Sequence, residues 1–297
     1  MAQKIWFNGK LVPFKNAKIH ILTHTLHYGT GAFEGMRFYQ TKHGAAIFQL
    51  ARHIDRLLYS AKCIHMNIPF TKTQLIKATI NLLKANKIKS GYIRPISIYG
   101  HGPLRVNPIN IPVDVAIACW PWGSYLGAEA VKLKVSSYMR IHPSSSYTDA
   151  KITGHYVNAM LAVKEAVAAG FTEAIMLDYK GNIAEGSAEN LFIIKNKIIY
   201  TPPLGTILAG ITRESVIKLA RDFKYKVVEK PLKIKEALNA DECFLTGTAA
   251  EISPVGQIDK KKLKTQFGPI TKQLRTEFMK IVSGENKKYF KWLTFVK

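Results

Sequence analysis

Two apolar runs, Ile5-Trp6-Phe7 and Leu11-Val12, flank an Asn8-Gly9 pair, the strongest short-range signal for a β-hairpin. A polar, histidine-bearing stretch follows. The strand pattern then returns at Met36–Gln40 and Ala45–Gln49 around the turn-like Thr41-Lys42-His43-Gly44, which predicts a second hairpin. Beyond it the apolar spacing changes to that of helices: Ile54, Leu57, Leu58 and Ala61 mark one, and Leu75, Ile76, Ile80 and Leu83 another behind a Thr71-x-x-Gln74 capping box. Strands at Tyr92–Tyr99 and Val113–Trp120 complete a first unit of sheet plus helices.

The aromatic, breaker-rich segment Pro121-Trp122-Gly123-Ser124-Tyr125-Leu126-Gly127 reads as a connection between units. After it come a strand at Val131–Ser137, a Ser/Pro loop at His142–Ser146, a helix through Tyr156–Ala169 and a strand at Thr172–Asp178. The remainder alternates strands (Leu191–Ile194, Ile198–Tyr200, Lys226–Glu229, Glu242–Thr246) with helices near Arg213–Phe223, Ile234–Asn239 and Lys272–Ile281. The division expected is a smaller N-terminal α/β domain over 1–121, a linker over 122–130 and a larger C-terminal domain over 131–297, with α/β (α+β) content throughout.

Composition narrows the picture. Of the 297 residues 47% are hydrophobic and 21% charged, values of a folded globular chain rather than a disordered one. The longest charge-free stretches, such as Ile19–Phe33, contain Gly or His and fall short of the roughly 20 residues a membrane helix needs. The N-terminus lacks the order of a secretory signal, and Cys63, Cys119 and Cys243 form no C-x-x-C pair, so a cytoplasmic protein with small, buried cysteines and no membrane partner is expected. The net charge of +23 would by itself admit nucleic acid. The lysines are scattered, however, with one dense run at 260–264 and no recognisable nucleic-acid motif, so a solvated basic surface is expected instead.

His20, His24 and His27 invite a metal reading, but no H-E-x-x-H, paired carboxylate or nearby cysteine supports it, and no metal is expected. The Gly29, Gly31 and Gly35 cluster lacks a Walker lysine and the strand–turn–helix context of a dinucleotide site, and no G-x-S-x-G is present. Other segments carry more. Lys151 stands in a turn of small polar residues before a helix, where a lysine can form a Schiff base with a carbonyl cofactor. The stretch Gly181–Asn190 reads as a Gly/Ser turn bearing Glu185 and Glu189, either able to pair with a protonated ring nitrogen. Gly210-Ile211-Thr212 opens a helix whose free amides suit a phosphate or are capped in the ordinary way. Thr246-Gly247-Thr248-Ala249-Ala250-Glu251 could bind a second anion.

Taken with His27–Arg37 (HYGTGAFEGMR), Tyr92-Ile93-Arg94-Pro95, Pro121–Glu129, Ala184–Phe192 (AEGSAENLF) and Gly247–Glu251 (GTAAE), in this order over nearly the whole chain, the sequence resembles the class IV aminotransferases. Within them it is similar to the bacterial-type branched-chain amino acid aminotransferases that depend on pyridoxal 5′-phosphate. Ile152-Thr153-Gly154-His155 and the loop Gly102–Pro108 depart from the family pattern. The resemblance implies a two-domain fold with the active site between the domains. It implies reversible transamination of leucine, isoleucine or valine with 2-oxoglutarate.

By the same resemblance, Lys151 holds the cofactor as an internal aldimine and shuttles the proton, Tyr156 bonds the phenolic oxygen, and Glu185 faces the pyridine nitrogen, leaving Glu189 a structural role. Arg56, Ile211, Thr212 and Thr248 cradle the phosphate, and Leu208 packs on the ring. Phe33, Gly35, Trp122 and Tyr125, with Tyr28 from a neighbouring subunit, shape the side-chain pocket. Tyr92, Ala249 and Ala250 bind the α-carboxylate, and Arg94 receives the γ-carboxylate of glutamate. The shared site implies a homo-oligomer, at least a dimer, with a trimer of dimers as the hexameric alternative. A D-amino-acid aminotransferase and an aminodeoxychorismate lyase share the fold; Tyr92-Ile93-Arg94 and the GTAAE turn favour the branched-chain branch.

Overall fold

The structure is a computed structural model and describes residues 3–123, 126–127 and 129–296. The chain forms two compact units. The first comprises Met1–Gly123, Ala150–His155 and Lys280–Lys297; the second comprises Ser124–Asp149 and Tyr156–Met279.

In the first unit β1 (Lys4–Phe7) and β2 (Lys10–Pro13) form the hairpin that Asn8-Gly9 foretells. Asn8 and Gly9 have φ of 45° and 91°, the left-handed pair that a two-residue turn requires. A short helix α1 (His24–Tyr28), β3 (Gly31–Phe33), β4 (Met36–Thr41) and β5 (Gly44–Phe48) follow. Next come α2 (Leu50–Cys63), α3 (Lys72–Asn86), β6 (Gly91–Tyr99) and β7 (Val113–Trp120). Leu50, Ile54, Leu57 and Ala61 of α2 and Leu75, Leu82 and Leu83 of α3 are buried against Phe38, Ile93, Val115 and Ile117 of the sheet. Each fully buried aliphatic side chain stabilises the fold by roughly 1.5–3 kcal/mol. The capping box at α3 is present in both directions: the Gln74 amide N–H donates to Thr71 Oγ1 at 3.3 Å and the Thr71 amide to Gln74 Oε1 at 2.8 Å.

The second unit contains β8 (Val131–Val135), α4 (Tyr156–Ala168), β9 (Glu173–Leu177), β10 (Ile183–Gly186), β11 (Asn190–Lys195) and β12 (Ile198–Thr201). It continues with α5 (Ile211–Asp222), β13 (Val227–Glu229), α6 (Ile234–Leu238), β14 (Glu242–Gly247), β15 (Glu251–Ile258), β16 (Lys261–Lys262) and, as far as Met279, α7 (Pro269–Val282). Its mixed sheet runs β10-β9-β8-β15-β14-β11-β12-β13, with β16 beside β15. Alanines make the close contact of α4 with the sheet: Ala162 and Ala166 meet Ala174 and Met176.

The last strand, β17 (Leu293–Phe295), pairs with β5 and completes the first sheet in the order β17-β5-β4-β6-β7-β1-β2, with β3 on β6. A single break at 122–130 assigns residues 150–155 and 280–297 to the second domain, whereas here they group with the first unit. The cause is backbone pairing: Ile152 bridges Ala32, and β17 lies on β5.

Other differences from the sequence expectation are local. The segment expected as a Gly/Ser turn contains β10, so Glu185 sits on a strand, opposite Met176 of β9 and beside an irregularity in the ladder. Pro254 and Gly256 concealed β15, which nevertheless pairs with both β14 and β8. The histidines of the 20–28 region bond their own segment and the loop at Arg105. His24, fully buried, bonds Thr30 Oγ1 and the Arg105 carbonyl, each at 2.7 Å, and His27 bonds the Ile21 carbonyl. Among the described residues no group of three or more His, Cys, Asp or Glu side chains could hold a metal ion, and no helix is long and apolar enough to cross a membrane. Cys119 and Cys243 are buried, and Cys63 is half-buried.

Candidate active site

Lys151 owes its place to the backbone around it. Its amide donates to Ser60 Oγ of α2 at 2.9 Å, its carbonyl accepts from the Phe33 amide at 3.1 Å, and Ile152 bridges Ala32. Thr153 Oγ1 donates to the Gly29 carbonyl at 2.6 Å and accepts from the Gly31 amide at 3.0 Å. Gly29 has φ of 66°, and a Cβ there would lie 2.8 Å from Gly154 Cα. Gly29 is therefore needed as glycine where these backbones cross, and Gly154 leaves only 3.2 Å between an added Cβ and the Gly29 carbonyl oxygen. The lysine segment is stitched to β3 by groups independent of its own side chain.

Around that anchor the first unit gathers most of its expected substrate-side residues. Lys151 Nζ stands 5.2 Å from the centre of the Phe33 ring, and the Arg94 guanidinium stands 4.7 Å from the same ring and 5.3 Å from that of Tyr92. Arg94 Nη2 donates to Tyr92 Oη at 3.3 Å. The Trp122 ring meets Tyr92 edge-on at 4.4 Å, and its carbonyl accepts from Arg37. Gly35 is glycine because a Cβ would overlap the Tyr92 hydroxyl. The result is an aromatic surface carrying two cations, able to take an apolar chain or a carboxylate. Arg94 Nε is buried and has no hydrogen-bond partner among the described residues, an unmet donor of the kind that a ligand satisfies. Tyr28, at the end of α1, is 42% exposed, with its ring against His24. Tyr125 lies outside the described residues.

Arg56 is held by a residue that sequence reasoning passed over. Glu34, fully buried between Phe33 and Gly35, accepts from Arg56 Nε at 2.5 Å and Nη2 at 3.0 Å, and from His53 Nδ1 at 2.7 Å. Burial pushes the Glu34 carboxyl up, but the Arg56 guanidinium and the His53 imidazole outweigh it and hold the group well below the usual carboxylate range. For His53 burial is the larger effect and lowers its pKa despite Glu34, so the ring is neutral at pH 7 with its proton on Nδ1.

In the second unit the buried Glu185 is the centre of a second cluster. It accepts from Arg140 Nε at 2.6 Å, Asn190 Nδ2 at 3.0 Å and the Leu208 amide at 3.1 Å. Asn190 also donates to the Leu208 carbonyl. Its Oδ1 fills the space that a Cβ on Gly210 would take, so Gly210 can lead into α5 only as glycine. Gly210, at the N-cap, has no side chain with which to cap that helix, and Ile211 and Thr212, both buried, open it. Register places Asn190 opposite Thr246, which carries the Thr248-Ala249-Ala250 turn to the same end of the sheet. Thr246 Oγ1 is buried without a hydrogen-bond partner among the described residues. Tyr156 opens α4 and is half-buried.

Arg140 and Asn190 are the functional neighbours that sequence reasoning missed here. Asn190 was visible as a polar residue next to an apolar strand. Arg140, 45 residues from its partner, left no local signal.

The amino-transferase class IV family model matches residues 31–258. The chain is 44% identical to the branched-chain-amino-acid aminotransferase of Pseudomonas aeruginosa over 99% of this chain and 97% of that protein. Its fold is similar to that of a branched-chain amino acid aminotransferase complexed with N-(5′-phosphopyridoxyl)-L-glutamate, with a TM-score of 0.97, 43% identity and coverage of 100% and 99% of the two chains. The branched-chain aminotransferase of the thermophilic archaeon Thermoproteus uzoniensis with norvaline also gives a TM-score of 0.97, at 42% identity and 99% coverage of each chain.

Proposed function

Because the chain belongs to the class IV aminotransferases and, among them, to the branched-chain-amino-acid aminotransferases, we propose that it transfers the amino group of L-leucine, L-isoleucine or L-valine reversibly to 2-oxoglutarate, with pyridoxal 5′-phosphate as cofactor. The observation that carries this reading is the aromatic surface of Phe33, Tyr92 and Trp122 with Arg94 set into it. An apolar chain packs on such rings, and the side-chain carboxylate of glutamate pairs with the guanidinium. Both partners of the exchange are thereby accommodated.

The residues present fit the cofactor. A helix start whose N-cap, Gly210, offers no side-chain cap and a Thr246 hydroxyl that is buried and without a hydrogen-bond partner among the described residues suit a phosphate-bearing ligand. The buried Glu185 suits a protonated ring nitrogen. When bound, pyridoxal 5′-phosphate supplies an aldehyde that condenses with amino groups and a ring that takes up electrons released at the substrate Cα.

The chain's own residues do the rest. Lys151 Nζ attaches the cofactor and carries the proton to and from the substrate Cα. Glu185 keeps the ring nitrogen protonated, and Tyr156 bonds the phenolic oxygen. Arg56, Thr248 and the α5 amides at Ile211 and Thr212 bind the phosphate, while Leu208 packs on the ring. Tyr92 and the Ala249 and Ala250 amides bind the α-carboxylate, and Phe33, Gly35, Trp122 and Tyr125 shape the pocket for the side chain. Tyr28 completes that pocket from a second copy of the chain, so the protein works as a homo-oligomer. The exposed Ile21, Leu22, Leu26, Tyr28, Val106 and Ile109 in the first unit support that assembly. Free cysteines suit a cytoplasmic setting.

The test is spectroscopic. L-leucine added to the cofactor-loaded protein should abolish its visible absorbance band, and 2-oxoglutarate should restore it. Absence of a response to all three branched-chain amino acids would refute the substrate assignment.

A further inference from the structure

Helix α2 presents His53, Arg56 and Ser60 at spacings of three and four residues, which places them along one face. That face meets two other segments. At its N-terminal end His53 and Arg56 both bond Glu34, and at its C-terminal end Ser60 Oγ accepts the Lys151 amide. The guanidinium is planar, and its Nε/Nη2 edge is the one Glu34 grips. A two-point grip of this kind fixes the plane of the fork as well as its position and directs the opposite edge away from the carboxylate. The neutral His53 ring donates to Glu34 Oε2, and the Gly35 amide donates to the same oxygen at 3.2 Å. The carboxylate therefore cannot turn without losing several bonds in a fully buried site.

We propose that Glu34, backed by His53, is a positioning residue for the cofactor phosphate: it locks the Arg56 guanidinium in one orientation, and the shared face of α2 fixes that guanidinium relative to the Lys151 backbone. The proposal rests on the cofactor assignment above. Its consequence is that Glu34, a negative charge, strengthens the binding of a negative ligand, through preorganisation rather than attraction. A purely structural Glu34 would have no preference between phosphorylated and unphosphorylated ligands.

The experiment compares two probes, pyridoxal 5′-phosphate and unphosphorylated pyridoxal, titrated into the cofactor-free full chain and followed by fluorescence. Glu34→Gln keeps the shape but places an amide N–H₂ against the N–H groups of Arg56 or His53. Losing one or two charge-assisted bonds corresponds to about ten- to hundredfold, so pyridoxal 5′-phosphate should bind that much more weakly while pyridoxal changes less than about twofold. In an Arg56→Gln background the same substitution should add no further loss, and the ³¹P resonance of the cofactor bound to Glu34→Gln should move toward its free position. Equal losses for both probes, or a loss that persists without Arg56, would overturn the proposal. Should Glu34→Gln not fold, His53→Gln is read by the same criteria. A wild-type chain that binds neither probe would instead refute the cofactor assignment beneath it.

Discussion

Replacing Arg140 by methionine isolates what holds the Glu185 carboxylate in place. The pair is short, 2.6 Å, and nearly dry, with side-chain exposures of 12% and 7%. Removing one partner from a buried ion pair costs roughly 3–5 kcal/mol, because the other charge stays buried. Here Asn190 Nδ2 and the Leu208 amide remain as donors to the carboxylate, which brings the expected loss to about 2–3 kcal/mol, near the value of a charge-assisted hydrogen bond. Glu185→Gln alone should also destabilise, since the amide would confront Arg140 and Asn190 with a further donor. The double variant buries no unpaired charge, so its loss should fall at least about 1 kcal/mol short of the sum of the two single losses. Urea unfolding of the cofactor-free protein at pH 7, followed by far-ultraviolet circular dichroism, measures all three. A loss below about 1 kcal/mol for Arg140→Met, or strict additivity in the double variant, would refute this account of the cluster.

Arg94→Met removes the charge set among Phe33 and Tyr92 but keeps similar length; single-turnover efficiency should fall about ten- to hundredfold with glutamate and far less with leucine, and equal losses would end its proposed specificity role. Gly29→Ala forces a side chain into left-handed backbone 2.8 Å from Gly154 Cα; it should destabilise the protein by about 1–3 kcal/mol in thermal unfolding and weaken cofactor attachment at the adjoining Lys151 segment. Burial raises the Glu173 carboxyl despite the bonds from the Ala174 and Ser187 backbone and the Ser187 side chain, so the folded state holds the proton to higher pH than the unfolded state and stability declines as pH rises above about 4.3. Glu173→Gln should therefore gain stability relative to wild type more at pH 8 than at pH 5, and a pH-independent difference in urea midpoints would contradict that sign.

The elements legible in the sequence are those whose signals are local. Asn8-Gly9, the Thr71/Gln74 box and the 3.6-residue spacing of Ile54, Leu57 and Ala61 each specify a structure within a few residues, and each is present. Strands β10 and β15 were illegible because Gly186, Pro254 and Gly256 argue locally against strand, while the sheet neighbours that overrule them lie far along the chain. The same limit governs the site. Lys151, Glu185 and Arg94 stand in recognisable motifs, but Ser60 for Lys151, Arg140 for Glu185 and Phe33 for Arg94 come from elsewhere, and only Tyr92 shares the motif of the residue it bonds. Glu34 was in plain view beside Phe33. Its role is set by His53 and Arg56, 19 and 22 residues on, and only folding onto α2 brings them within reach.

The proposed chemistry depends most directly on one lysine. Reduction of the cofactor-loaded protein with borohydride should fix a phosphopyridoxyl group on a single peptide, and mass spectrometric mapping should find it on Lys151, with no label taken up by Lys151→Ala. A label on a different lysine, or a Lys151→Ala protein that still exchanges the amino group of leucine with 2-oxoglutarate, would contradict the assignment.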